Sequence, residues 1–354
     1  MSLLKCSSIS KIFGTIEALN NVSMEVNSGD ILAVVGESGC GKTTLLRAIA
    51  GFETVDSGEI KIEDRIVSSG NVHVLPEDRN LGMVFQEYSL FPHMDVESNI
   101  IFGLRSHDPK QRKNRVKEVL DLVRLAGFEK RYPHELSGGQ QQRIALARSI
   151  APTPTLMLLD EPFSNLDSVN RTDMLNDLQS IIRDSNMATI LVTHDKEEAF
   201  SVADNLAVMV DGQINQYAKP NEIYFYPKNY RVAKLVSNAE FISGNVNNGV
   251  VNCLLGSFSY LDTTGKINSA SEVIVMIRFG DFRAVYDPNG NFFVSSTEFK
   301  GSHFVVTVKS FKGSLHIKCS ESLDTNLTVN SKVNLVQLSS DPLLVFPKIA
   351  KEND

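Results

Sequence analysis

At 354 residues the chain is longer than one hydrophobic core ordinarily fills, so two domains are expected. With 42% hydrophobic and 22% charged residues it has the make-up of a globular protein, and a net charge of −7 gives no sign of nucleic acid or another polyanion as main partner. Its four cysteines, at positions 6, 40, 253 and 319, make no Cys-x-x-Cys pair, which argues against a zinc or disulfide framework and for a reducing compartment.

The first stretch, MSLLKCSSISKIF, has no charged segment followed by a long apolar core, so no signal peptide is expected; no run approaches the roughly 18 apolar residues of a membrane span. Residues 3–26 alternate in two short runs around FGTIEALNN and predict strand, turn, strand. The apolar run Ile31–Val35 predicts a buried strand, followed by a glycine-rich loop and a helix starting near Lys42. GEIKIEDRIV predicts a further strand pair, and 81–85 a short buried strand ending at Gln86. RVKEVLDLVRLAG puts Val116, Val119, Leu120 and Val123 on one helical face, with Gly127 as the stop. LSGGQQQRIALARSIA predicts a second helix, TLMLLDEP a buried strand, VNRTDMLNDLQSIIRDS an amphipathic helix and ATILVTHD another strand. Strands alternating with helices predict an α/β fold with a parallel or mixed sheet. Beyond about Lys234 the chain turns to short β-branched and aromatic runs between Gly, Asn and Ser turns, which predicts an all-β domain, a small barrel. PNEIYFYPKNYRVAKLV reads as the link, with the first domain ending at 235 and the second running 236–354.

The glycine-rich loop carries the first chemistry. Gly36, four residues, then Gly41-Lys42-Thr43 fits Gly-x-x-x-x-Gly-Lys-Ser/Thr between a strand and a helix. Glycines let successive N–H groups turn toward anionic oxygens, and the helix adds its positive end. Gly36, Glu37, Ser38, Gly39, Cys40, Gly41, Lys42, Thr43 and Thr44 are therefore candidate phosphate-binding residues. Lys42 should reach the β- and γ-phosphates and the Thr43 hydroxyl should bind Mg²⁺. Thr44 equally starts the helix, and Cys40 reads as a small loop residue rather than a redox group.

Asp160 and Glu161 end the apolar run 156–159 and emerge at a strand end, where Asp160 can hold Mg²⁺ and Glu161 can orient or deprotonate a water. Alone, such a pair could instead cap the turn EPFSN. Gln86, at another strand end, can touch both Mg²⁺ and the water, and His194, after TILVT, can reach the γ-phosphate. A lone histidine is ordinarily solvated or structural; its position after a strand of the same sheet raises it. Ser137-Gly138-Gly139-Gln140 before a helix resembles a second anion site, and one chain needs only one triphosphate cradle, so a second copy is expected to supply the other half.

In order and spacing these residues resemble the nucleotide-binding subunit of an ATP-binding-cassette transporter, over about the first 230 residues. The matching motifs are an aromatic before the first turn (Phe13), Walker A (Gly36 to Thr43), the Q-loop glutamine (Gln86), the LSGGQ signature, Walker B with its glutamate (Asp160, Glu161), the D-loop SNLD ending in Asp167, and the switch histidine (His194). Asn165 stands where many relatives have alanine. The resemblance implies a P-loop ATPase with a mixed sheet core and a helical subdomain at about 90–150. It implies ATP and Mg²⁺ as cofactors and a head-to-tail dimer with a second copy. Phe13 would stack on adenine, and Ser137 and Gly139 would contact the γ-phosphate in trans.

The C-terminal region resembles the OB-like accessory barrel of importer ATPases, with MIRFGDF where relatives carry an IRPE-like turn; Phe279 departs from that turn. RYPHELSGGQQQR is most similar to ferric-iron import ATPases, while polyamine, maltose, sulfate and thiosulfate importers use nearly the same subunit. The resemblance thus implies a peripheral subunit on the cytoplasmic face of a bacterial inner membrane. Its partners would be integral permease subunits and, through them, a periplasmic cargo-binding protein. A soluble non-transport ATPase of the same fold, or an exporter ATPase, are the competing classes; neither a long coiled coil nor fused spans are present. In QEYSLFPHMDVESN, Tyr88, Leu90, Phe91 and Met94 read either as packing beneath the helices that follow or as the groove for a permease helix.

Overall fold

The structure is a computed structural model that describes residues 2–104, 108–164, 168–268, 270–311, 316–322 and 325–348, with backbone alone at 168–170, 172 and 173. Asn165 and Asp167 lie outside the described residues. The chain divides into two units, Met1–Phe225 and Tyr226–Asp354.

The strands of the first unit are β1 (Ser2–Phe13), β2 (Ile16–Asn27), β3 (Ile31–Val35), β4 (Ser57–Ile62), β5 (Arg65–Ser69), β6 (Leu81–Val84), β7 (Leu156–Asp160), β8 (Ala188–Thr193), β9 (Asn205–Val210) and β10 (Gln213–Ala218). Its helices are α1 (Lys42–Ala50), α2 (Val96–Phe102), α3 (Pro109–Leu122), α4 (Gly138–Ile150), α5 (Ser168–Ser185), α6 (Lys196–Val202) and α7 (Pro220–Phe225). β1 and β2 form a hairpin that closes on Phe13 opposite Ile16, and β4 and β5 extend it to an antiparallel sheet ordered β2-β1-β4-β5. The second sheet is ordered β10-β9-β3-β8-β7-β6, parallel except for β10.

Side-chain alternation divides this sheet between two cores. Leu156 and Leu158 of β7 join Leu32 and Val34 of β3 and Ile190 and Val192 of β8 in a core roofed by α1 and the antiparallel sheet. Met157, Leu159 and Leu191 face the other way, against α2, α3, α4 and α5. With both faces covered, every residue of β3, β7 and β8 is buried, which is why these strands read as unbroken apolar runs.

One helix end differs from expectation. α3 stops at Leu122, not at Gly127. Arg124 takes the left-handed conformation (φ 57°), and the Leu125 N–H turns back to the Leu120 carbonyl at 2.8 Å. That bond satisfies an end carbonyl and terminates the helix before the glycine is reached.

The second unit opens with α8 (Tyr230–Val236), whose Ala233 packs with Met276, Leu344 and Phe346. These contacts place α8 with the β unit, and the division falls at 225/226 rather than 235/236. Its strands are β11 (Glu240–Asn247), β12 (Val250–Cys253), β13 (Gly256–Phe258), β14 (Tyr260–Asp262), β15 (Glu272–Ile277), β16 (Phe282–Tyr286), β17 (Phe292–Phe299), β18 (Phe304–Ser310), β19 (His316–Glu321), β20 (Lys332–Gln337) and β21 (Leu343–Pro347). They make two sheets, ordered β13-β12-β11-β15-β21-β14 and β16-β20-β17-β18-β19. One apolar core serves both: Val273, Val275 and Val345 of the first meet Phe282, Val294, Val306 and Val308 of the second. This is the expected all-β, OB-like architecture.

Candidate functional site

Parallel pairing brings the predicted residues to one edge. Val35 lies opposite Thr193, Asp160 opposite Val192, and Val84 opposite Leu159. The residues that leave β3, β8, β7 and β6, namely Gly36, His194, Glu161 and Gln86, therefore emerge together at the carboxyl edge of the sheet, where ligands of such sheets bind.

The loop after β3 needs its glycines. Gly41 (φ 107°) is the N-cap of α1, and Gly39 has φ 83°. A Cβ at Gly36 would run into the Met209 carbonyl and the Cys40 Sγ, and one at Gly41 into the Ala18 carbonyl. At these two positions the loop backbone packs too closely on its neighbours to carry a side chain. Lys42 is buried, and its Nζ donates to the carbonyls of Gly36 (2.8 Å) and Glu37 (2.9 Å), so the ammonium lies across the loop. Cys40 is buried; its N–H donates to Glu37 and its carbonyl accepts from Gly212, and burial pushes its thiol pKa up, as suits a structural loop residue. Glu37, Ser38 and Gly39 are exposed along the same loop, and Thr44 lies in the first turn of α1.

Thr43 Oγ1 donates to Asp160 Oδ1 at 3.2 Å, which joins two of the candidate Mg²⁺ ligands. A hydroxyl and a carboxylate side by side are the hard oxygen donors that suit this ion. Burial raises the Asp160 pKa, opposed by the bond from Thr43. Glu161 diverges from its neighbour because its own backbone is left-handed (φ 46°), with its N–H held by the Val192 carbonyl at 2.9 Å. Its Oε2 lies 3.0 Å from His194 Nδ1. A non-glycine residue in this conformation costs about 1–3 kcal/mol, and such strain is held where geometry matters. Gln86 is exposed, two positions past the end of β6.

Phe13 is 44% exposed at the hairpin tip, with Lys11 Nζ 5.2 Å from its ring centroid, and Ala18 on the returning strand lies against Gly41. Ser137, Gly138, Gly139 and Gln140 begin α4. Ser137 Oγ accepts from the Gln140 N–H (3.4 Å) and Gln140 Oε1 accepts from the Ser137 N–H (3.0 Å), a reciprocal cap. Among the described residues each of these two side chains accepts from the other residue's backbone N–H and not from the phosphate loop. The run after Gln86 is only partly a surface: Tyr88 is buried, and Leu90 packs on the core beneath α2 to α4, against the reading of both as a docking face.

Sequence reasoning missed the bracing of His194. Thr193 Oγ1 donates to the buried Glu198 at 2.6 Å, and Arg171 pairs with Asp195 at 2.9 Å. Asp195 also caps α6 by accepting from the Glu197 N–H. The cap was readable as an aspartate before a helical run; the pairing with Arg171 was not.

The family model described as ABC transporter matches residues 19–164. A spermidine/putrescine import ATP-binding protein of Oleidesulfovibrio alaskensis is 40% identical over 314 residues, covering 85% of this chain and 83% of the relative. The chain belongs to the ABC transporter family. A second relative of this ABC protein, an Fe(3+) ions import ATP-binding protein of Pseudomonas fluorescens, is 43% identical over 257 residues, 72% of each chain. Among solved structures, the ADP- and phosphate-bound dimer of the ATP-binding cassette MJ0796 is 29% identical with a TM-score of 0.54, covering 61% of this chain and 98% of that one. Among the described residues of this ABC protein no helix is long and apolar enough to cross a membrane.

Proposed function

We propose that this chain binds and hydrolyses Mg²⁺·ATP between two copies of itself, as the energy-coupling subunit of a bacterial importer that takes up ferric iron through a separate permease. The observation that carries the reading is the pair Gly138 and Gly139. Among the described residues a Cβ at either would meet nothing within 4 Å, and neither has a positive φ. Glycine is a poor helix former, and two in succession at a helix start with open space above them suit the close approach of a group from outside the chain. A phosphate held by the Lys42 loop of a second copy has the size and charge for that helix end.

In this reading Phe13 stacks on the adenine, the glycine cradle and Lys42 hold the phosphates, and Ser137 with Gly139 closes on the γ-phosphate of the other copy. Thr43, Asp160 and Gln86 would hold Mg²⁺, which would offset the negative charge of the phosphates. Glu161 accepts the proton of the attacking water, oriented by His194; Gln86 senses the γ-phosphate. Asp167 belongs to the same proposal by motif alone. Phe91, half-buried, and Met94 would meet a permease helix on the cytoplasmic face of the inner membrane, with a periplasmic binding protein delivering cargo to that permease.

Ferric iron is supported by the P. fluorescens relative and by the RYPHELSGGQQQR wording. Polyamine is the second reading, supported by the O. alaskensis relative, whose match extends over more of the chain. Uptake of labelled ferric iron, spermidine and sulfate by cells with and without this subunit decides between them. Loss of iron uptake alone is expected; loss of spermidine uptake with iron unchanged would transfer the proposal to polyamines.

A further inference from the structure

The loop behind Gln86 holds a conformation that its own residues resist. Tyr88 and Ser89 follow each other in the left-handed region, at φ 59° and 48°, which is unfavourable for residues with a Cβ. Tyr88 is buried, and its hydroxyl has no hydrogen-bond partner among the described residues. Such a turn persists only where its surroundings over-determine it.

Arg148, in the last turn of α4, supplies that constraint. Its Nη1 donates to the Ser89 carbonyl at 2.8 Å and its Nη2 to the Tyr88 carbonyl at 3.1 Å. Its guanidinium carbon lies 5.5 Å from the centroid of the Phe91 ring. The next residue, Ser149, donates from Oγ to the Met83 carbonyl in β6 at 2.8 Å. One helix turn therefore holds the backbone on both sides of Gln86. A planar fork with fixed donors suits two successive carbonyls; a lysine, a point charge on a flexible stem, does not.

We infer that Arg148 is a positioning residue for Gln86, holding the Tyr88–Ser89 turn in the one geometry that presents the amide at the sheet edge. The inference rests on the reading of Gln86 under Proposed function. Arg148 acts through the turn, by its bonds to the Tyr88 and Ser89 carbonyls. It also joins two distant parts of the site: α4 has 13 residues, about 20 Å of helix, with Ser137 at one end and Arg148 at the other.

The test is a double-mutant cycle on the full chain, with ATPase kinetics and amide hydrogen exchange. Arg148→Lys is expected to leave KM for ATP near parental and lower kcat by about tenfold, the worth of one charge-assisted hydrogen bond. In a Gln86→Ala background the same substitution should have little further effect, because the two changes act through one amide. Ser89→Gly, which tolerates positive φ, should return part of the activity to Arg148→Lys. An unchanged kcat, or an equal loss in both backgrounds, overturns the inference. Should Arg148→Lys fail to fold, Phe91→Leu, which removes only the ring beneath the guanidinium, goes through the same cycle with the same criteria. If the parent chain shows no ATPase activity, the proposed function fails separately. Exchange then decides the clamp: faster exchange confined to residues 86–91 in Arg148→Lys upholds it, and unchanged exchange overturns it.

Discussion

Glu161 and His194 leave adjacent parallel strands and meet with Oε2 3.0 Å from Nδ1. The contact exists because Glu161 has a left-handed backbone, which turns its side chain away from Asp160 and toward the strand that carries the histidine. One carboxylate of the pair is thus directed to Thr43, the other to a ring that can orient it. Two neighbouring carboxylates meet two different partners.

Replacing Glu161 with Gln keeps the shape and leaves Thr43 and Asp160 untouched. ATP binding should persist while turnover falls about 10²–10⁴-fold, the ordinary worth of a positioned base. Equilibrium nucleotide binding and single-turnover hydrolysis on the same preparation check this. Turnover at the parental rate would remove Glu161 from the role of base.

Ser137 has a task within its own chain as well as the proposed one across the dimer. Ser137→Ala should lower stability by about 1 kcal/mol through loss of the Oγ that accepts from the Gln140 N–H. Ser137→Arg should abolish ATPase activity by crowding the phosphate of the second copy. Mixed with Lys42→Ala, it forms dimers in which one composite site carries both lesions and the other neither. Partial return of activity on titration is expected; none, with dimers shown by crosslinking, would remove the support for action in trans.

Arg79 is 3% exposed and donates to the carbonyls of Ala48 and Ile49 in α1 and of Val67 and Val74 outside it. Burial lowers its pKa to about 10, so it stays charged at neutral pH. Arg79→Met would remove all four of these bonds, although the Val67 and Ala48 carbonyls keep the N–H groups of Val74 and Gly51, and should cost about 3 kcal/mol. Thermal unfolding measures this directly. A shift within error would show that water satisfies the same carbonyls.

Asp204 accepts from the Ile31 N–H at 2.8 Å and from both Arg183 terminal nitrogens, at 2.9 and 2.7 Å. Burial acts to raise its pKa, but these donors outweigh it and hold the carboxyl below its ordinary value. A depressed folded pKa gives stability that is present above the unfolded value, about 4, and is lost as pH falls through the folded one. Asp204→Asn should therefore cost about 1 kcal/mol at neutral pH, with the gap closing below about pH 4. Denaturant titrations at pH 7 and pH 3 are the measurement; a constant gap would assign the effect to packing.

The sequence by itself determined what is local or periodic. β3, β7 and β8 are legible as unbroken apolar runs because both faces of the sheet are covered. The phosphate cradle is legible because strand, glycines, lysine and helix are contiguous, and the β unit because its turns recur at short spacing. Tertiary structure decided whatever depends on distant partners. The end of α3 is set by backbone hydrogen bonds around Arg124 and not by the glycine beyond it. α8 goes with the second unit because Ala233 finds its core there. Tyr88 turns inward, a choice between packing and surface that its loop left open, and Arg79 and Arg148 become structural anchors only when carbonyls far off in the chain come within reach. A motif states which groups are present; the direction in which each points is fixed by backbone torsions and by partners that sequence spacing does not encode.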